Sequence, residues 1–158
     1  MEGRSANLDE QEIWFHHLGV SVRDIDGSID WWQRMLGFTL ERRYVLESIP
    51  AEIAMMANGA LHVELLCKPG SRPADAERRV PDDDLQTCGN KHIALSVANV
   101  RAMVEVLKAK GVDVVWVKDL PNGRSASFIR DNEGNLIELV QFPKVAQSVA
   151  IVPPVTGA

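Results

Sequence analysis

The sequence predicts an α+β domain made of two tandem βαβββ modules, each a half-barrel sheet with a helix on its outer face. The phrase HLGVSV at 17–22 recurs as HIALSV at 92–97, and VELL at 63–66 recurs as IELV at 137–140. Two separate phrases that keep nearly the same spacing indicate an internal duplication. Each copy also holds one stretch of helical periodicity among short apolar runs that are typical of strands.

The first module is predicted over residues 13–67 and opens with a strand at 13–23. Asp24 suits the N-cap of a helix, and Gly37 suits its end. Trp32 lies in the apolar stripe of this helix and Trp31 beside it, so Trp32 is expected in the core and Trp31 partly exposed. Three further strands are predicted at 38–46, 53–57 and 61–67, the last two joined by the hairpin turn Asn58-Gly59.

The second module is predicted over residues 89–142 and repeats this order. Asn99 suits the N-cap of its helix, which Gly111 ends. Its strands are predicted at 91–97, 112–117, 125–130 and 136–142, with a turn at Pro121-Asn122-Gly123.

The remaining segments are a polar N-terminal arm at 1–12, a connector at 68–88 and a C-terminal tail at 143–158. The connector contains several prolines, an Arg78-Arg79 pair and a run of three aspartates. It is interpreted either as a solvated link between the modules or as a lid over a binding site, since long loops are often functional.

Composition limits the function classes. The chain has 158 residues, 46% of them hydrophobic, and a net charge of −5, so it carries no basic footprint for nucleic acid. It has no apolar run of membrane-spanning length and no apolar leader after Met1, so a cytoplasmic protein without a membrane partner is expected. Cys67 and Cys88 lack a CxxC partner and are expected to be reduced.

Each module contributes one His and one Glu in its repeated phrases: His17 and Glu64, then His92 and Glu138. Side chains alternate along a strand, so the His of each first strand lies opposite its apolar residues, among small ones. Two imidazoles and two carboxylates form a donor set suited to a divalent metal ion such as Zn, Ni, Co, Mn or Fe. Taken singly, each of the four is better explained as a solvated or hydrogen-bonded strand-end residue, and it is the repetition of both that favours a shared metal site.

These residues resemble the vicinal oxygen chelate superfamily, which includes glyoxalase I, methylmalonyl-CoA epimerase, extradiol dioxygenases and the fosfomycin and bleomycin resistance proteins. The resemblance covers 13–142 and rests on the two βαβββ patterns, on HLGVSV followed by an Asp-capped helix, and on GNLIEL at 134–139. It implies a metal held by His17, Glu64, His92 and Glu138, and a homodimer. Glyoxalase I has an arginine four residues after its first ligand that holds the glutathione carboxylate; Ser21 stands there, which argues against glutathione.

The resemblance implies a metal-dependent lyase or isomerase that chelates a small substrate through two oxygens and transfers a proton through an enolate or enediolate. Glu138 or Glu64 is the expected base, with Glu47 and Glu52 as weaker candidates. Two alternatives remain open. One is an Fe(II) extradiol-type dioxygenase, and the other is a small-molecule-binding resistance protein without catalysis.

Overall fold

The computed structural model describes residues 14–143. The predicted arm, and the predicted tail apart from Pro143, lie outside these residues. The elements in chain order are β1 (Leu18–Val22), α1 (Ile25–Leu36), β2 (Thr39–Leu46), β3 (Ala51–Asn58), β4 (Leu61–Cys67), α2 (Pro81–Asp84), β5 (Ile93–Ser96), α3 (Val100–Ala109), β6 (Asp113–Leu120), β7 (Arg124–Arg130) and β8 (Leu136–Gln141). Two short 3-10 turns, Ala76–Arg79 and Pro121–Gly123, lie between them.

The strands form two four-stranded sheets with the same topology, β1-β4-β3-β2 (sheet one) and β5-β8-β7-β6 (sheet two). In each sheet the first and last strands of the module pair in parallel, and the other pairs are antiparallel. Helix α1 packs on β2, β3 and β4, and α3 packs on β6, β7 and β8. The predicted α+β class with two βαβββ modules is confirmed.

Strand β1 begins at Leu18, five residues later than predicted, because of its partner. The two strands are parallel and Leu18 pairs with Val63, so residue 16 would lie opposite Leu61, the first residue of β4. Residues before 16 would lie opposite the hairpin turn that precedes β4 and would have no strand to pair with. Trp14 and Phe15 precede the strand and are 75% and 76% exposed.

The two long helices begin and end at the predicted residues or next to them. The side chain of Asp24 accepts a hydrogen bond from the Gly27 amide, and Asn99 caps α3 in the same way. Gly37 ends α1 with φ 70°, a left-handed conformation that favours glycine. As predicted, Trp32 is fully buried and Trp31 only partly.

One hydrophobic core spans both modules and contains residues of both helices together with the covered faces of both sheets. Polar contacts also cross between modules, including an ion pair of 2.6 Å between Arg23 and Glu133. Strands β1 and β5, which lie at the ends of their sheets, line a shared cleft of about 190 Å³. These two edge strands therefore lie on either side of one cleft.

The connector packs against the second module. Asp84 is 1% exposed and pairs with Arg78 at 2.9 Å and with Lys91 at 3.4 Å. The Arg130 side chain donates to the backbone carbonyl of Arg79. These contacts anchor the second half of the segment. Among the described residues, no helix is both long and apolar enough to cross a membrane.

The turn before β8 is organised by the buried side chain of Asp131, which is 5% exposed. Its carboxylate accepts hydrogen bonds from the amides of Glu133 and Asn135 and from the Asn135 side chain. Burial raises the pKa of Asp131 above its ordinary value of 3.8, and these hydrogen bonds only partly oppose it. The turn sets the start of β8 and hence the position of Glu138.

Replacing Asp131 by Asn tests this balance. The folded protein holds the Asp131 proton more tightly than the unfolded chain, so ionisation costs wild-type stability as the pH rises above 3.8 through the raised pKa. We expect the unfolding free energy of D131N, measured by urea denaturation, to rise relative to that of the wild type over this range. Asp82→Asn, at an exposed position in α2, is the control. A D131N difference that stays constant or moves the other way contradicts the raised pKa.

Candidate metal centre

In each sheet, the predicted Glu is paired with the residue that lies two positions after the predicted His. Gly19 of β1 is opposite Glu64 of β4, and Ala94 of β5 is opposite Glu138 of β8. Residues paired across two strands point to the same side of a sheet. Since Val22 is buried in the core while Gly19 and Ala94 are exposed, the glutamates lie on the sheet face away from the helices.

The two modules make the same contact with the same atoms. His17 Nε2 lies 3.3 Å from Glu64 Oε2, and His92 Nε2 lies 3.2 Å from Glu138 Oε2. Two neighbouring ligands about 2.1 Å from one ion are themselves about 3.0–3.4 Å apart, for bond angles between square and tetrahedral. All four side chains are partly exposed, between 18% and 32%. Each pair therefore fits two adjacent ligand positions of a divalent ion.

The four predicted ligands form two pairs, His17 with Glu64 and His92 with Glu138. Within residues 14–143, no three His, Cys, Asp or Glu side chains converge on a point that could hold a metal ion. His17 and Glu64 lie on sheet one, and His92 and Glu138 lie on sheet two. One chain thus presents two separate half-sets of donors.

The imidazoles are oriented by different neighbours. The Nδ1 atom of His17 lies 2.6 Å from Nδ1 of His16, so one of the two nitrogens donates a hydrogen. With the hydrogen on His17 Nδ1, the Nε2 atom beside Glu64 is free to bind a metal ion; with the hydrogen on His16 Nδ1, His17 Nε2 instead donates to Glu64. The ring of His92 instead meets Phe128 edge to face, with centroids 4.8 Å apart and an angle of 84°.

Several residues beside the pairs were missed by the sequence analysis. The Tyr44 hydroxyl lies 3.4 Å from Glu64 Oε1, and His62 Nε2 lies 3.6 Å from Glu41. Phe128 is the direct cross-strand neighbour of Glu138, and Trp116 is the direct cross-strand neighbour of Phe128. Alternation would have placed His62 on the face of Glu64, two residues away. The others depend on cross-strand register, which the sequence does not state.

Of the weaker base candidates, Glu47 is exposed in the turn between β2 and β3, and Glu52 lies in β3. Glu52 is opposite Cys67 and next to Val45 in the sheet, on the face that α1 covers. Its carboxylate pairs with Arg43, which also binds Asp26 of that helix. Glu52 therefore does not face the His17–Glu64 pair.

A family model decides the affiliation of this chain. The model described as Glyoxalase/Bleomycin resistance protein/Dioxygenase superfamily matches residues 14–139, nearly all of the described chain. The chain belongs to this superfamily. The predicted resemblance is therefore confirmed at the level of the superfamily.

Relatives of this glyoxalase-superfamily chain agree with its fold. A lactoylglutathione lyase of Pseudomonas putida is 28% identical over 163 aligned positions, which cover 89% of this chain and 93% of that protein. A glyoxalase family protein from Enterococcus faecalis is similar in structure with a TM-score of 0.68 and 16% identity, covering 84% of this chain and 98% of the other. The trypanothione-dependent glyoxalase I of Leishmania major has a TM-score of 0.65 and 22% identity, covering 82% and 87%.

Removing either half-set tests the candidate metal centre. We expect the double variants His17→Ala/Glu64→Ala and His92→Ala/Glu138→Ala each to lose more than about a hundredfold in metal affinity, since changes to the partners of ligands alone cost about 10- to 100-fold. Elemental analysis after dialysis against Zn, Ni or Co measures this. His62→Ala, which breaks another His–Glu contact of sheet one, should keep its metal. Equal metal content in all of these proteins contradicts the assignment.

Proposed function

We propose that the protein is a metal-dependent lyase or isomerase. It chelates a small substrate through two neighbouring oxygens and promotes proton transfer beside a carbonyl, by way of an enolate or enediolate. The observation that carries this proposal is the repeated His–Glu pair, with the same atoms at 3.3 and 3.2 Å in both modules. The lactoylglutathione lyase relatives, at 28% and 29% identity, support the reaction type.

His17, Glu64, His92 and Glu138 would hold the ion, which supplies Lewis-acid polarisation of a substrate carbonyl. Glu64 or Glu138 would act as the base, because a carboxylate that holds the ion would be positioned to accept the proton beside the polarised carbonyl. The edge-to-face contact of Phe128 holds the ring of His92, while the hydroxyl of Tyr44 lies within hydrogen-bond range of Glu64. These neighbours keep the two pairs in place while a carboxylate exchanges a proton.

We also propose that the working unit is a homodimer. The sheet-one face of one copy would meet the sheet-two face of the other and complete four donors, because one chain presents them as two separate pairs. On this face of sheet one, the edge strand β2 exposes the apolar side chains of Tyr44 at 39% and Leu46 at 37%. An exposed apolar patch of this kind is typical of a protein–protein contact.

The proposal does not extend to glutathione, which appears in the name of the lactoylglutathione lyase relatives. Ser21 stands where the resemblance to glyoxalase I calls for a carboxylate-binding arginine, and it is exposed beside a cleft lined by Arg23, Arg72 and Arg78. Two of these arginines are already paired, Arg23 with Glu133 and Arg78 with Asp84. The proposal therefore covers the reaction type and leaves glutathione out.

Mixing two inactive variants tests the shared site. One chain carries His17→Ala/Glu64→Ala and the other carries His92→Ala/Glu138→Ala. Refolded together, they form heterodimers in which one of the two shared sites keeps all four donors, so we expect metal binding to return in about half of the sites of each heterodimer. Elemental analysis of the purified heterodimer measures the return. Metal binding that stays absent in the heterodimer, while the wild type binds metal, contradicts a site between subunits.

Glutamate variants test the chemistry. The metal-loaded wild type should isomerise the hemithioacetal of methylglyoxal with 2-mercaptoethanol, without consuming oxygen. At least one of Glu138→Gln and Glu64→Gln should lower kcat by about 10²- to 10⁴-fold while the metal stays bound. Glu41→Gln, outside the pairs, is the control. Oxygen uptake with catechol-type substrates in place of isomerisation contradicts the proposal and favours a dioxygenase.

A further inference from the structure

Sheet two carries an aromatic row beside its His–Glu pair. Glu138 of β8, Phe128 of β7 and Trp116 of β6 are direct neighbours across three strands. The Phe128 ring meets the rings of His92 and Trp116 edge to face, with centroids 4.8 and 4.9 Å apart. The three rings form a row that begins at a candidate metal ligand. Phe128 is buried within the row at 6% exposure, and the half-buried Trp116 presents the accessible aromatic ring.

The matching row of sheet one is chemically different. Opposite Glu64 stands Met55, and opposite Met55 stands Arg42. A flexible thioether and a guanidinium replace the two rings, so the modules share a backbone pattern and differ in what they offer a substrate. Among the described residues, the row of strand neighbours that starts at the glutamate carries aromatic rings on sheet two and none on sheet one, where Tyr44 lies in an adjacent row.

A cation lies at the outer end of the aromatic row. Lys118 follows Trp116 on the same face of β6, and its Nζ atom lies 4.3 Å above the Trp116 ring. Among the described residues, Lys118 forms no ion pair. Lys118 is exposed, and the residues opposite it across the next two strands are Ala126 and Val140, neither of which carries a charge.

We propose that the sheet-two half of the site binds an aryl or other planar conjugated group of the substrate against Trp116, beyond the buried Phe128, and that Lys118 pairs with an anionic substituent at its far end. This rests on the proposed function, since the chelating oxygens of the same molecule must lie at His92 and Glu138. Neighbouring strands are about 4.8 Å apart, so Trp116 lies about 10 Å from Glu138, the length of a phenyl ring with a group at each end.

Hydroxamates are suitable probes because they chelate divalent ions through two adjacent oxygens. Acetohydroxamate reports on the metal alone, benzohydroxamate adds a ring, and 4-carboxybenzohydroxamate adds a ring and an anion. Titrating each into the Co-loaded protein, followed by the visible absorbance of cobalt, gives the three affinities. We expect the ring to gain about tenfold in affinity and the carboxylate about threefold more.

Two variants assign these gains. Trp116→Leu should reduce the ring gain to less than about threefold, and Lys118→Gln should remove the carboxylate gain while keeping the ring gain. Lys108→Gln changes an exposed lysine of α3 that pairs with Glu105, and should keep both gains. Because Lys118 is exposed, its variant is expected to fold even if Trp116→Leu does not.

The outcomes separate the two levels of the proposal. A wild type in which acetohydroxamate leaves the cobalt spectrum unchanged contradicts the proposed function, and with it this inference. A wild type that binds acetohydroxamate but gains nothing from the ring or the carboxylate contradicts the inference alone. Gains that persist in both Trp116→Leu and Lys118→Gln contradict it equally.

Discussion

Parallel pairing of the first and last strands of each module is the constraint on which the candidate site depends. It joins two segments of chain that are separated by a helix and a hairpin, and it does so in the same register twice, with Gly19 opposite Glu64 and Ala94 opposite Glu138. Because the residue opposite each glutamate is small, the imidazole two positions earlier can reach the carboxylate. A slip of one residue would turn the glutamate towards the helix and into the core.

The duplication also explains why one chain shows two half-sets of donors. Each sheet has a helix on one face and a His–Glu pair on the other, so the two pairs are copies of one local arrangement. The modules are joined by a shared core and by contacts such as Arg23 with Glu133, which hold them side by side. A second chain would bring the two kinds of face together, and this is the physical reason for the proposed homodimer.

The sequence was sufficient for the fold because the fold follows local signals that occur twice. Periodicity, the caps Asp24 and Asn99 and the glycine at 37 define the helices, and the strands were predicted to within a few residues except at β1. The start of β1 depends on where its parallel partner β4 begins, which is a long-range property. The buried Asp84 with its two cations was likewise invisible, since polarity alone predicts a solvated segment there.

The candidate site was predictable in part. The two pairs follow from repetition and alternation, and the structure places their atoms within 3.3 Å. Their surroundings do not follow from these rules, because Phe128 and Trp116 are aligned with Glu138 through two strand pairings, and the register of the β6–β7 pairing is shifted by an irregularity between Val114 and Trp116. Whether the ion takes ligands from both pairs is tested most directly by X-ray absorption spectroscopy of the cobalt-loaded protein. This account predicts two imidazole nitrogens and two carboxylate groups around each cobalt ion; one imidazole and one carboxylate would contradict it.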